Sequence, residues 1–191
     1  MRIAGITGGI GSGKTTVCAI FSSLGIPVFN ADDEAKALYS TEMIREKVIG
    51  LLGKKSYKKE VLDRSYVAKK VFSDPDLLAQ LNSIIHPAVQ EKFSEWWASQ
   101  SSPYVLKEAA ILFESGADKG TDLVITVAAP KDIRIQRVMK RDQCTAEEVE
   151  KRMKSQWTQA EKIKRSKYVI INDEIEMLIP QVLKIHQELS T

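Results

Sequence analysis

The chain opens on a short apolar run, Arg2 to Thr7, that passes directly into Gly8-Gly9-Ile10-Gly11-Ser12-Gly13-Lys14-Thr15-Thr16. This stretch fits the pattern G-x-x-x-x-G-K-[ST], and its setting constrains the fold more than the string does. Val17, Ile20, Phe21 and Leu24 follow at helical spacing, Gly25 stops that helix, and Pro27 stands just beyond it. A buried strand, a glycine loop and a helix are the opening of a parallel sheet covered on both faces. Glycines let successive N–H groups turn toward a polyphosphate, while the helix presents its positive end to the same anion. In such a loop Lys14 reaches the outer phosphates and the Thr15 hydroxyl ligates Mg²⁺. A glycine-rich turn of a dinucleotide fold is disfavoured by the Lys-Thr pair and by the strand-loop-helix context.

A second short strand, "PVF", leads into "NADDEA", the acidic start of a new helix. From about Asp33 to Gln100 the pattern reads as helices with no strands between them. "LDRSYVAKKVF" carries Leu62, Tyr66, Val67 and Val71 near helical spacing, and Asp74 with Pro75 marks an N-cap and first helical position. Pro87 is expected to interrupt the pattern, with a further helix burying Val89, Phe93, Trp96 and Trp97. Strand signals return at "YVLKEAAIL", "DLVITVAAP" and "KYVIIND". Between the last two lies a charged helical region in which Thr145 and Glu148 are spaced as a capping box. The expectation is an α/β chain with a five-stranded parallel sheet, helices on both faces and right-handed crossovers. The core is assigned to 1–32, 101–131 and 166–191, a helical insert to 33–100 and a helical lid to 132–165.

Composition narrows the class. The 191 residues suffice for one core with an inserted subdomain, and 43% apolar with 28% charged residues excludes disorder and fibrous classes. A net charge of +3 does not argue for nucleic acid, although Lys54, Lys55, Lys58 and Lys59 cluster, as do Lys162, Lys164, Arg165 and Lys167; such runs read as solvated faces. No apolar run reaches the ~20 residues of a membrane helix. Cys18 and Cys144 have no neighbour at metal spacing, and no leader pattern precedes the loop, so the expectation is a cytoplasmic protein with reduced thiols. Neither nucleic acid nor a membrane is expected as its partner, and a monomer or weak oligomer is the expectation.

A phosphate loop does not name a reaction. Ligands of an open parallel sheet gather at the carboxyl ends of its strands, and Asp32 falls just after the second strand. Phosphoryl transfer to an alcohol needs a carboxylate that orients the hydroxyl and takes its proton. Asp32 fits that role, and it reads equally as an acid of the first helical turn, beside Asp33 and Glu34. Arg134, Arg137 and Arg141 fall on one helix stripe, either closing over phosphates or forming a solvated face paired with Asp132 and Asp142. Glu108 ends a strand-like run, as a holder of Mg²⁺-bound water or as a surface carboxylate beside Lys107. His86 reads as a structural histidine or a substrate contact.

Taken in order, "GITGGIGSGKTT", Ala31-Asp32, "LDR" at 62–64, "VF" at 71–72, "LNSIIHP" at 81–87, "ILFE" at 111–114, "QRVMKRD" at 136–142, Gln156 and Asn172 resemble the dephospho-CoA kinase family. The Thr-Gly-Gly-Ile-Gly-Ser-Gly-Lys loop and the His-Pro pair are more specific than a generic phosphate loop. The resemblance implies a P-loop nucleotide kinase fold, a helical domain for a CoA-like substrate and a mobile lid. The reaction it implies passes the ATP γ-phosphate to the ribose 3′-hydroxyl of dephospho-CoA. It sets Asp32 beside the acceptor hydroxyl and makes Arg137 and Arg141 lid arginines. Gly9, Gly11, Ser12, Gly13, Lys14, Thr15, Thr16 and Asn172 become nucleotide contacts, with Thr15 also on Mg²⁺. Arg64, His86, Leu112 and Glu114 form or border the substrate site. The chain departs from the family pattern at Asn30, usually Asp, at Ala110-Ile111-Leu112, usually Pro-Leu-Leu, and at Glu174, commonly Gly. A different small-molecule or nucleotide kinase is the nearest alternative. A GTP-binding switch expects Asn-Lys-x-Asp and Asp-x-x-Gly motifs that are absent, and a nucleic-acid module predicts steeply salt-dependent binding.

Overall fold

The computed structural model describes residues 1–71 and 74–191, so Phe72 of the Val-Phe pair lies outside the described residues. The chain divides into two compact units, Met1–Asn30 with Gln100–Thr191, and Ala31–Ser99.

The first unit is built on β1 (Arg2–Thr7), β2 (Val28–Asn30), β5 (Tyr104–Glu108), β6 (Leu123–Ala128) and β7 (Tyr168–Ile171). They form one five-stranded sheet in the order β2-β5-β1-β6-β7, with every pairing parallel. All five carboxyl ends therefore share one edge, and the glycine loop leaves that edge from the central strand. In register, Glu108 lies beside both Ile6 and Asn30, and Thr7 lies beside Thr126. Alternate residues Ala4, Ile6, Tyr104, Leu106, Ile125, Val127 and Ile170 form one core with α1 (Lys14–Ser23) and α9 (Leu178–Ser190). Fully burying one such aliphatic or aromatic side chain stabilises the fold by about 1.5–3 kcal/mol. The buried Tyr104 hydroxyl is satisfied by His186 Nδ1 at 2.8 Å. Helix α8 (Gln159–Arg165) packs against β6, and Thr126 Oγ1 meets Ser166 Oγ at 2.6 Å. Gly25, at φ +81°, closes α1 by donating to Ser22 O while Ile26 donates to Phe21 O, the termination expected from sequence.

The strands are shorter than their apolar runs suggest. The run from Tyr104 leaves the sheet after Glu108, at the level where β2 also ends with Asn30.

The second unit packs α2 (Ala31–Leu38), α3 (Glu42–Leu52), α4 (Arg64–Val71) and α5 (Pro75–Ala98) around Ile44, Val48, Val67, Leu81 and Ile85. Two sequence expectations are corrected there. A hairpin, β3 (Tyr57–Lys58) with β4 (Val61–Leu62), interrupts the helices. Strands of two residues carry no readable alternation, and the turn uses Lys59 at φ +56° instead of glycine. Pro87 does not end a helix either; α5 runs 24 residues through it. A mid-helix proline costs about 3 kcal/mol. Pro87 lies on the exposed side while Leu81, Ile85 and Ala88 are buried opposite, and that burial offsets the cost. Of the four residues expected to be buried beyond it, Phe93 is buried and Val89, Trp96 and Trp97 are half-buried. The Asp74 cap is as expected, with its carboxylate accepting from Leu77 N at 3.0 Å.

Candidate active site

Every carbonyl oxygen from Gly8 to Gly13 accepts a hydrogen bond. Gly8 O accepts from Lys14 Nζ (3.1 Å), Gly9 O from Ser12 N (3.0 Å) and Gly13 O from Val17 N (3.2 Å). Ile10 O accepts from Arg134 Nε (2.9 Å), Gly11 O from Arg137 Nη1 (3.5 Å) and Ser12 O from Asn172 Nδ2 (2.8 Å). In a planar trans peptide the carbonyl and the following N–H point oppositely. Side chains gripping the carbonyls from one side thus turn the N–H groups of Gly11 and Gly13 to the other. The first-turn N–H groups of α1 add to these, since a helix cannot satisfy them internally. The loop is thereby preorganised as an anion cradle.

The glycines are required by this outer grip as much as by any ligand. A Cβ on Gly9 would lie 2.1 Å from Arg134 Nη2, one on Gly11 2.5 Å from Arg134 O, and one on Gly13 2.1 Å from Asn172 Nδ2. Gly13 also holds φ +92° as the N-cap of α1. Gly9→Ala is expected to weaken triphosphate binding about 10- to 100-fold, the equivalent of ~1–3 kcal/mol of overpacking. Arg134→Ala in the same chain relieves part of that loss, so the double variant binds better than the two single losses predict. Titrations of the four proteins check this, and strictly additive losses would show that the two groups do not compete for space.

Arg134 is thus placed differently from the expected solvated or phosphate-closing stripe. It is 7% exposed in α6 (Lys131–Asp142), burial lowers its pKa, and it braces the loop's backbone. Arg137, on the next turn, donates to Asn172 Oδ1 (3.2 Å) and Glu174 Oε1 (3.2 Å) as well as to the loop. Arg141 is exposed and bound to Asp142 at 2.7 Å, with Arg152 on the same carboxylate; these hydrogen bonds hold Asp142 below the usual carboxylate range.

The Ser12 hydroxyl is buried and has no partner among the described residues. Such an orphaned donor fits a ligand oxygen. The Thr15 and Thr16 side chains open α1 in exposed positions. Glu108 is not a surface carboxylate: it is 4% exposed at the end of β5. Burial pushes the Cys18 thiol up to about 12, the nearby Glu108 carboxylate adds to the rise, and Lys14 opposes it. Both charges therefore act on the Cys18 thiol in α1. Among the described residues no cluster of three or more His, Cys, Asp or Glu could hold a metal. A hydroxyl and one carboxylate nonetheless match Mg²⁺, which takes few protein ligands and completes its shell with phosphate oxygens and water.

The remaining residues divide. Asp32 is half-buried in the first turn of α2, directly after β2. Arg64 is exposed at the start of α4, and His86 is half-buried in α5, its pKa lowered by burial. Leu112 is fully buried, where a Cβ on Gly5 would lie 2.7 Å from its Cδ2. Glu114 accepts from Lys162 Nζ at 2.7 and 3.0 Å and from Trp157 N at 2.8 Å. Lys162, assigned from sequence to a solvated run, is 0% exposed. Trp157 stacks on Phe113 at 5.9 Å, and the Arg165 guanidinium lies over the Trp157 ring at 4.7 Å.

One residue to which the spacing of the sequence assigned no role also supports the loop. Gln156 Oε1 accepts from Ile10 N at 2.9 Å, so both ends of the Ile10 residue are held from outside; only the family resemblance had marked Gln156. It is positioned between the expected capping box at Thr145 and Glu148, which opens α7 (Ala146–Lys154), and a second at Thr158 and Glu161. The T-x-x-E spacing of the second was available to find it.

The comparisons with known proteins agree with this geometry. The dephospho-CoA kinase family model, CoaE, matches residues 2–176. A dephospho-CoA kinase of Chlorobaculum tepidum is 42% identical, covering 99% of this chain and 95% of that protein. Another, of Porphyromonas gingivalis, is 41% identical over 100% and 96%. Among solved structures, TT1252 from Thermus thermophilus superposes with a TM-score of 0.91 at 35% identity, covering 100% of this chain and 98% of that one. The Campylobacter jejuni dephospho-CoA kinase gives 0.68 at 26% identity, covering 98% and 96%. A shikimate kinase of Acinetobacter baumannii, 14% identical with a TM-score of 0.54, shares the fold alone. A preorganised phosphate cradle at the carboxyl edge of a parallel sheet, with matches of this length and identity, makes the chain a member of the dephospho-CoA kinase family.

Proposed function

We propose that the chain carries out the family reaction with Asp32 as base, transferring the γ-phosphoryl group of ATP to the ribose 3′-hydroxyl of dephospho-CoA. The observation that supports the donor side is the set of engaged loop carbonyls, which turns the N–H groups of Gly11 and Gly13 toward a triphosphate tail, with Lys14 held at Gly8 O beside them. Asp32 orients the acceptor hydroxyl and takes its proton as the new P–O bond forms. Lys14 and the opening turn of α1 stabilise negative charge on the transferring group, and Ser12 and Thr16 add hydroxyl contacts. Thr15 and Glu108 would hold Mg²⁺, which would supply positive charge to offset the charge developing on the phosphates. Arg137 and Arg141 belong to the lid that excludes water from the transfer, and Asn172 orders the nucleotide side by holding Arg137 and Ser12. Arg64 and His86 contact the acceptor in a substrate domain spanning 33–100.

The assignment of substrate is tested by ADP release with dephospho-CoA, AMP, adenosine or no acceptor. Dephospho-CoA is expected to raise the rate far above the acceptor-free background. A rate no higher than background would overturn the substrate assignment, and preference for another acceptor would identify a different kinase on the same fold. We place the reaction in the cytoplasm, with the protein as a monomer or weak oligomer and with neither nucleic acid nor membrane as partner. No helix among the described residues is long and apolar enough to cross a membrane, and Cys18 and Cys144 are free thiols.

A further inference from the structure

Beyond the end of β7 the chain turns sharply. Asp173 Oδ1 accepts from Ile175 N at 3.0 Å and from Glu176 N at 2.8 Å, and the turn so closed puts Glu174 at φ +71°, a conformation that favours glycine. A glutamate kept in a left-handed position calls for a reason. Its side chain reaches Arg137: Glu174 Oε1 accepts from Arg137 Nε at 3.3 Å and from Nη2 at 3.2 Å. The Glu174 side chain is 65% exposed and that of Arg137 27%, and an ion pair this wet adds little to stability. Its consequence is orientation.

A guanidinium is a flat, rigid fork of donors, and three acceptors in different directions fix its plane. Besides Glu174 these are Asn172 Oδ1, 3.2 Å from Nη2, and Gly11 O, 3.5 Å from Nη1. The contact to the loop is the longest and depends on the other two to keep the fork in place. Arg137 in turn orients Asn172: the amide turns its oxygen to the cation and so its nitrogen to Ser12 O, at 2.8 Å. The Ser12 carbonyl and the Gly13 N–H that follows it point oppositely across one peptide. A line of contacts therefore runs from Glu174 through Arg137 and Asn172 to a donor of the anion cradle. We propose that Glu174 is a positioning residue for the nucleotide, fixing the Arg137 guanidinium so that it and Asn172 hold the loop carbonyls of Gly11 and Ser12. This rests on the reading of the loop as the ATP site. A carboxylate near that site also repels phosphate, but at this exposure water and salt screen the repulsion, and orientation is the larger effect. Glu174 acts through Arg137 and takes no part in the chemical step.

The test titrates the whole protein with ATP and measures KM for both substrates. Glu174→Gly removes the carboxylate and suits the turn, since a left-handed φ costs glycine nothing. It is expected to weaken ATP binding and raise the KM for ATP by roughly 3- to 10-fold, with the KM for dephospho-CoA moving less than twofold and the melting temperature not falling. Weaker binding in a fold that is no less stable is not the result of general damage. Glu174→Gln keeps an acceptor for Arg137 without the charge and is expected to recover part of the loss. Arg137→Met weakens ATP binding by itself, and adding Glu174→Gly to it is expected to change nothing further, because the residue acts only through the arginine. If the wild type binds ATP while Glu174→Gly binds it within twofold as well, or more tightly, the proposal is wrong and the ATP site stands. Additive losses in the double variant would also overturn it, since Glu174 would then act by another route. If the wild type does not bind ATP, the proposal and the reading of the loop fall together.

Discussion

Asp32→Asn is expected to slow phosphoryl transfer to dephospho-CoA by roughly 10²- to 10⁴-fold in a single-turnover experiment, the range removed with a positioned general base. Asn keeps the shape of the side chain and its capacity to accept a hydrogen bond but takes no proton. The competing reading of Asp32, an acid favoured by the helix N-terminus, predicts a different loss. A first-turn carboxylate is worth about 0.3–1 kcal/mol of stability, and its replacement leaves the chemical step untouched. Asp33 and Glu34 share that turn, so the dipole of α2 does not depend on Asp32 alone. Steady-state turnover is a poor readout, because slow product release conceals a slower chemical step. Full single-turnover rate with a slightly lowered melting temperature would assign Asp32 to the helix and leave the base unidentified.

The parts of this molecule legible from sequence are those where one physical demand dominates. Four apolar residues at helical spacing ahead of Gly25 gave α1 its full extent, because amphipathic burial and a left-handed stop coincide there. The parallel sheet was legible because strands buried on both faces read as continuous apolar runs. Where two demands oppose each other, local reading failed. Pro87 disfavours a helix that tertiary burial of Leu81, Ile85 and Ala88 maintains, and only the packed unit decides between them. The β3–β4 hairpin carries a lysine at a glycine-type turn position, so its turn chemistry was hidden. At the site, the loop and its helix were readable from spacing, whereas its brace was not. Arg134, Gln156 and Asn172 come from three later segments of the chain, and nothing local to an arginine says whether it faces solvent or a backbone carbonyl. The same gap turned Lys162 from an expected surface charge into a fully buried one.

That buried charge supplies the second large effect. Glu114→Gln is expected to destabilise the fold by roughly 3–5 kcal/mol, read as a lower urea midpoint at unchanged slope. Lys162 Nζ is fully buried and bonded to both oxygens of Glu114 and to Ala110 O, so removing the carboxylate charge leaves an ammonium without its counter-ion. Glutamine still accepts from Trp157 N, so the loss isolates the charge and not the backbone contact. Adding Lys162→Met removes the stranded ammonium, and the double variant is expected to recover most of the stability, since a buried ion pair is often no better than an apolar replacement. The family resemblance suggests another role for Glu114, on the border of the substrate site, and the same proteins separate the two. A carboxylate that meets the acceptor would raise the KM for dephospho-CoA in Glu114→Gln with the urea midpoint unmoved, and Lys162→Met would restore nothing. Loss of the midpoint with recovery in the double variant makes Glu114 the anchor that holds Trp157, and with it the neighbouring Gln156, in position to brace the phosphate loop.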